Sequence, residues 1–78
     1  MIIKAFLVGI HSSGSFRPGK PAEILGVVFI TPTNSEERPC YHVKFDDGTE
    51  DFVPLSDAKN FKIISKKDVE AGKIPAVV

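Results

Sequence analysis

The cleanest alternation of apolar and polar positions lies in residues 40–46, CYHVKFD. Tyr41, Val43 and Phe45 share one face there, and Cys40, His42 and Lys44 the other, as in a strand buried on one side. Asp46-Asp47-Gly48-Thr49 follows as a hairpin signal, because Gly48 can take the positive φ that such turns require. Residues 50–55 (EDFVPL) read as the returning strand. Pro54 has no N–H, so it belongs at an edge or at a strand's end.

Upstream, residues 2–8 (IIKAFLV) are rich in β-branched and aromatic side chains and predict a first strand. Residues 22–31 (AEILGVVFIT) predict a second, with Gly26 marking a bulge or bend. Between them, residues 11–20 hold Ser12-Ser13-Gly14-Ser15 and Pro18-Gly19, a loop too long for a tight hairpin. Residues 32–39 (PTNSEERP) form a polar loop bracketed by prolines. Downstream, residues 56–60 suit one helical turn and 61–64 a short last strand. Ser65 and Asp68 have capping-box spacing and Gly72 stands at a C-cap position, so a helix is predicted over 66–71. Residues 74–78 (IPAVV) trail behind it. The chain has no internal repeat.

At 78 residues this is one domain, with a core in about 2–65 and a helix and tail over 66–78. A hydrophobic content of 42% fits a folded chain. Ten basic residues balance ten acidic ones, which weighs against a strongly cationic nucleic-acid binder. One cysteine, Cys40, makes no internal disulfide, and a reducing, cytoplasmic setting is expected. The apolar run at the N-terminus is far shorter than the ~20 residues of a membrane span and is read as a strand. No cofactor, metal or membrane is expected.

Five short strands, a long first loop, a tight hairpin and a helical turn before the last strand give the order of an SH3-like barrel. Tyr41-His-Val-Lys-Phe-Asp-Asp-Gly-Thr-Glu-Asp-Phe-Val53 resembles the central hairpin of Tudor domains. Val53-Pro54-Leu55-Ser56-Asp57 resembles the fourth-strand end and helical turn of SH3 domains. Pro21-Ala-Glu-Ile-Leu-Gly-Val-Val28 resembles the glycine-containing second strand of KOW-like barrels. These matches span about residues 18–65. The whole chain also resembles small bacterial and phage proteins, a likeness that implies no function. The expected class is therefore all-β: a five-stranded SH3-like barrel with a short C-terminal helix.

Candidate chemistry is sparse. Gly9-Ile-His-Ser-Ser-Gly14 has phosphate-loop spacing, but Ser15 stands where the phosphate-binding Lys belongs, so a plain polar loop is expected. His11-Ser12 lacks one glycine of a nucleophile elbow, Ile10 standing in its place. Asp46, Asp47, Glu50 and Asp51 are too closely spaced for a calcium loop and read as a solvated turn. Cys40 and His42 share a strand face but supply only two ligands, so a surface His and a surface or edge Cys are expected. The Val-Gln-Ile-Tyr motif of the type II dihydrofolate reductase, a barrel with its site at an oligomer centre, is absent. The comparable strand here reads Asp51-Phe-Val-Pro54. No catalytic residue is assigned, and an enzyme is the least favoured reading.

Charge is nevertheless segregated. Six acids lie in residues 36–51, and Lys59, Lys62, Lys66, Lys67 and Lys73 lie in residues 59–73. A solvated helix explains the lysines most simply. The alternative is a nucleic-acid-associated barrel using Lys59, Lys62, Lys66 and Lys67. Aromatic residues that could cage a methylated cation in a Tudor-like domain are chiefly Phe16 and Tyr41, although most aromatics in a chain without Trp must fill the core. A peptide-binding SH3 groove is not expected, because its Trp and the Ala-Leu-Tyr-Asp-Tyr run are missing.

The informative excess is in the first two strands, which are apolar on both faces. Straight alternation groups Ile2, Phe6 and Val8 against Ile3, Ala5 and Leu7. It groups Ile24, Val28 and Ile30 against Leu25, Val27 and Phe29. A small barrel needs only one apolar face, so the other must be covered by the C-terminal helix and tail, a second copy or another protein. The expected function is a non-catalytic module acting through protein contacts or self-association. Its candidate contact residues are His11, Phe16, Arg17, Arg38 and Tyr41, at loops 11–17 and 32–39.

Overall fold

A computed structural model of the chain describes residues 4–13, 17–31 and 36–78. It contains strands β1 (Ala5–Gly9), β2 (Ala22–Ile30), β3 (Arg38–Lys44), β4 (Glu50–Pro54) and β5 (Phe61–Ser65). A 3-10 turn over Leu55–Asn60 joins β4 to β5, and helix α1 (Lys66–Glu70) follows. All neighbouring strands are antiparallel, in the order β4-β3-β2-β1-β5. Each element expected from the pattern is therefore present. The first strand's expected start, Ile2 and Ile3, lies outside the described residues. β3 begins earlier than expected, at Arg38, and so includes Pro39.

The sheet is not closed into the expected barrel. β4 and β5 are its two edges, and no ladder joins them among the described residues. Pro54 ends β4 without a donor, and the 3-10 turn begins at the next residue. Six residues of turn thus separate the two strands that closure would have to pair.

The core lies where the two halves of the sheet meet. Leu7, Ala22, Val43, Phe45 and Val53 are buried there, and Ile24, Tyr41 and Phe61 pack against them. The Asp-Gly hairpin behaves as anticipated, with Gly48 at φ 90°. The Phe45 N–H donates to the Thr49 carbonyl at 2.8 Å. The Ser65 hydroxyl accepts from the Asp68 N–H at 3.1 Å and caps α1.

β2 departs from straight alternation. Ile24 opposes Val43 and Gly26 opposes His42, so Leu25 is an extra, bulged residue. The bulge exchanges faces. Val27 opposes Tyr41, which places Ile24, Val27 and Phe29 together on the core side. The sequence grouping of Ile24 with Val28 and Ile30 is corrected accordingly.

β1 is buried on both sides from within the chain. Leu7 and Val8 point to opposite faces, yet are 5% and 0% exposed. Helix α1 packs against β1 and β5, and Val69 of that helix shares a groove with Phe6. The tail returns as well: the Val78 N–H donates to the Ile10 carbonyl at 2.7 Å, and the Ser12 N–H to the Val78 carbonyl at 3.1 Å. Cys40 is also buried, contrary to the surface or edge position expected. It is flanked in the sheet by Val28 on β2 and Pro54 on β4, and its thiol donates to the Arg38 carbonyl at 3.8 Å.

Core and concave positions of the same strands should respond differently to truncation. Val43→Ala is expected to cost about 2 kcal/mol, from two lost methyl groups and the cavity left behind. Val27→Ala, on an exposed side chain, should stay within about 0.5 kcal/mol. Urea unfolding of both variants checks this, and equal losses would misplace the core.

Candidate interaction surface

An apolar recess lies between the two halves of the sheet. Its volume is about 420 Å³, and it is lined by Leu7 of β1, Tyr41 of β3, Val53 of β4, Leu55 of the 3-10 turn, and Phe61 and Ile63 of β5, among others. Register explains the convergence. Val27, Tyr41 and Val53 form one row across β2, β3 and β4. Leu7 and Ile63 form another across β1 and β5. Both rows face inward, and because the sheet stays open their outer members remain in solvent. Ile63 is 54% exposed, Val27 51% and Phe29 64%. Concave, apolar and open is the form of a contact surface.

The first long loop is pinned elsewhere, on the hairpin. The Arg17 guanidinium donates to Asp47 Oδ2 at 2.7 Å and to Thr49 Oγ1 at 3.3 Å. It also lies over the Phe45 ring, 4.9 Å from its centroid. Arg17 itself has φ 52°, a left-handed conformation unusual for a residue with a side chain. These contacts hold it there. Asp47 also accepts from the Thr49 N–H at 2.9 Å. That bond first, then the Thr49 hydroxyl and the Arg17 guanidinium, lower the Asp47 pKa to about 2.

The opposite face of β3 and β4 carries a polar and aromatic group. His42 Nε2 and Glu50 Oε1 are 2.6 Å apart, and the His42 ring stacks on Phe52 at 5.0 Å. Gly26 lies beside His42 in the sheet, with open space where a Cβ would stand. Among the described residues, no group of three or more His, Cys, Asp or Glu could hold a metal ion, and no helix is long and apolar enough to cross a membrane.

The five candidate contact residues fall in different places. Tyr41 lines the apolar recess. Arg38 is exposed at the start of β3 and, three residues from Tyr41, points to the opposite face. Arg17 is bound to the hairpin, and His11 sits half-buried beside the returning tail. Phe16 lies outside the described residues, as do Gly14 and residues 32–35. Lys59, Lys62, Lys66 and Lys67 are all exposed, along the 3-10 turn, β5 and α1, with Lys66 3.7 Å from Glu70. Leu55 and Ile63 were not among the candidate residues, whereas Val27 and Phe29 belong to the apolar excess of the second strand already noted. The signals that could have found them were the Phe61/Ile63 alternation and the bulge at Gly26. No family model, curated protein or solved structure matches this chain.

The Asp47 cluster should leave a pH signature. Its folded pKa is depressed, so its contribution to stability is full above the ordinary value of 3.8 and is lost as pH falls through about 2. Thermal unfolding between pH 4 and pH 2 is expected to fall less steeply in Asp47→Asn than in the wild type. Parallel slopes would show that the cluster contributes nothing in this window.

Proposed function

We propose that this chain is a non-catalytic interaction module on an SH3-like scaffold, and that it takes a protein partner on its concave apolar surface. The observation carrying this reading is the exposure of Ile63, Val27 and Phe29 beside the recess lined by Tyr41 and Val53. The order of elements supports the scaffold: a long first loop, an Asp-Gly hairpin between β3 and β4, and a 3-10 turn before β5. The strand order supports it too, since β2 serves both halves of the sheet. A buried lone thiol at Cys40 suits a reducing, cytoplasmic setting. Binding through apolar contact also accords with a chain of zero net charge, whose Arg17 is engaged with Asp47.

The test is capture of partners from the native cell by immobilised wild type and by Ile63→Lys, read by mass spectrometry. Ile63 is exposed, so the variant should fold; circular dichroism checks this. Specific partners are expected to be lost with the variant and to persist in high salt. Capture that is indifferent to Ile63→Lys overturns the proposal. Salt-sensitive binding of nucleic acid, abolished by Lys62→Glu and Lys67→Glu, would assign the lysine face instead.

A further inference from the structure

The three strand edges of this open sheet are not equally protected. Antiparallel strands alternate hydrogen-bonded and non-hydrogen-bonded pairs, so one bond fixes which groups face outward. The Phe45 N–H to Thr49 carbonyl bond makes Val43/Asp51 and Tyr41/Val53 the bonded pairs between β3 and β4. On β4, the outward positions are therefore Glu50, Phe52 and Pro54. The Phe52 N–H is taken by Asp51 Oδ1 at 2.8 Å, and Pro54 has none. Two of the three outward positions of β4 thus offer no free donor. On β5, the Ile10 N–H to Asn60 carbonyl bond turns the backbone groups of Phe61, Ile63 and Ser65 outward; the Phe61 N–H is bonded to the Ala58 carbonyl, and those of Ile63 lie beside the charge of Lys62.

Beyond Glu23, β2 carries neither a charge nor a proline among the described residues. Among the described residues, β1 pairs only with Ala22 and Glu23. Tyr41 directs its backbone groups to β4, so Val27, opposite it, directs its own away from β3, and Phe29 does the same. The strand therefore offers two donors and two acceptors on one side, next to the exposed side chains of Leu25, Val27 and Phe29. No charged residue occurs from position 24 to position 35, in a chain that is 26% charged.

We propose that this β2 edge is closed by the same edge of a second copy, in an antiparallel pair centred on Val28. This rests on the interaction-module reading and names one partner for its surface. Register and charge both favour self-pairing. Val27 of one copy meets Phe29 of the other twice, by twofold symmetry, so each outward donor finds an acceptor. A β-branched residue facing an aromatic one is a favourable cross-strand pair. A charged partner strand would find no counter-charge here, whereas the uncharged run matches itself. The three exposed side chains supply roughly 300 Å² per copy on the usual scale of side-chain areas, against the ~800 Å² per partner of a stable interface. The dimer is accordingly weak and reversible.

Sedimentation velocity over a series reaching millimolar protein should show the wild type moving toward a dimer. Val27→Lys and Val27→Pro should remain monomeric. The proline variant removes only an outward donor, so the β2–β3 ladder survives; circular dichroism checks both folds, and Val27→Lys decides alone if the proline variant unfolds. Val28→Cys in a Cys40→Ala background should yield a disulfide-linked dimer under oxidation, since position 28 faces its own copy. A wild type that stays monomeric throughout overturns the proposal. So does a dimer that survives Val27→Lys but not Ile63→Lys, which would place the contact on β5. Association appearing only after removal of residues 1–3 would assign the edge to the chain's own N-terminus and also overturn it. A strict monomer that still captures a partner through Ile63 would sink the dimer alone and leave the proposed function standing.

Discussion

β2 is nine residues long, while β1 beside it has only five. One strand must therefore serve two halves of a sheet, pairing with β1 through its first two residues and with β3 along most of its length. The bulge at Leu25 lies just beyond Glu23, the last β2 residue paired with β1 among the described residues. Added twist at a bulge lets the second half of the strand turn away from the first. The core forms where Ala22 and Ile24 still face both halves. The recess forms beyond, where Val27 and Phe29 face only one.

Burial follows from this division. β1 sits between β2 and β5, with α1 against it, and both of its faces are buried. The remaining apolar excess is concentrated on β2 and at Ile63, where no intramolecular neighbour covers it fully. Only a few side chains are fully buried, as expected of a small domain with a high ratio of surface to volume. Long-range polar contacts add order at the surface. Arg17 ties the first loop to a hairpin thirty residues away through an ion pair, a hydroxyl and an aromatic face.

The edges show how a sheet can be open without being uniformly adhesive. Asp51 and Pro54 leave two of the three outward positions of β4 without a free donor by different means, one by capping an N–H and the other by lacking it. A single charged residue, Lys62, marks β5. β2 has neither device along its uncharged run, among the described residues.

The sequence alone determined the elements. Alternation at residues 40–46, the Asp-Gly turn, the Ser65 cap and the prolines are local signals, and each acts within a few residues of where it is written. The pattern also marked β1 and β2 as apolar on both faces, and Gly26 as the place of a bend. It could not say which face each β2 side chain takes, because a single bulged residue inverts everything after it. It could not foresee a buried Cys40, whose sheet neighbours Val28 and Pro54 lie on two other strands. Nor could it pair Arg17 with Asp47, since that contact exists only once the loop meets the hairpin. Whether the barrel closes, and so which apolar residues remain in solvent, is a matter of how distant strands meet, and only the tertiary structure decided it.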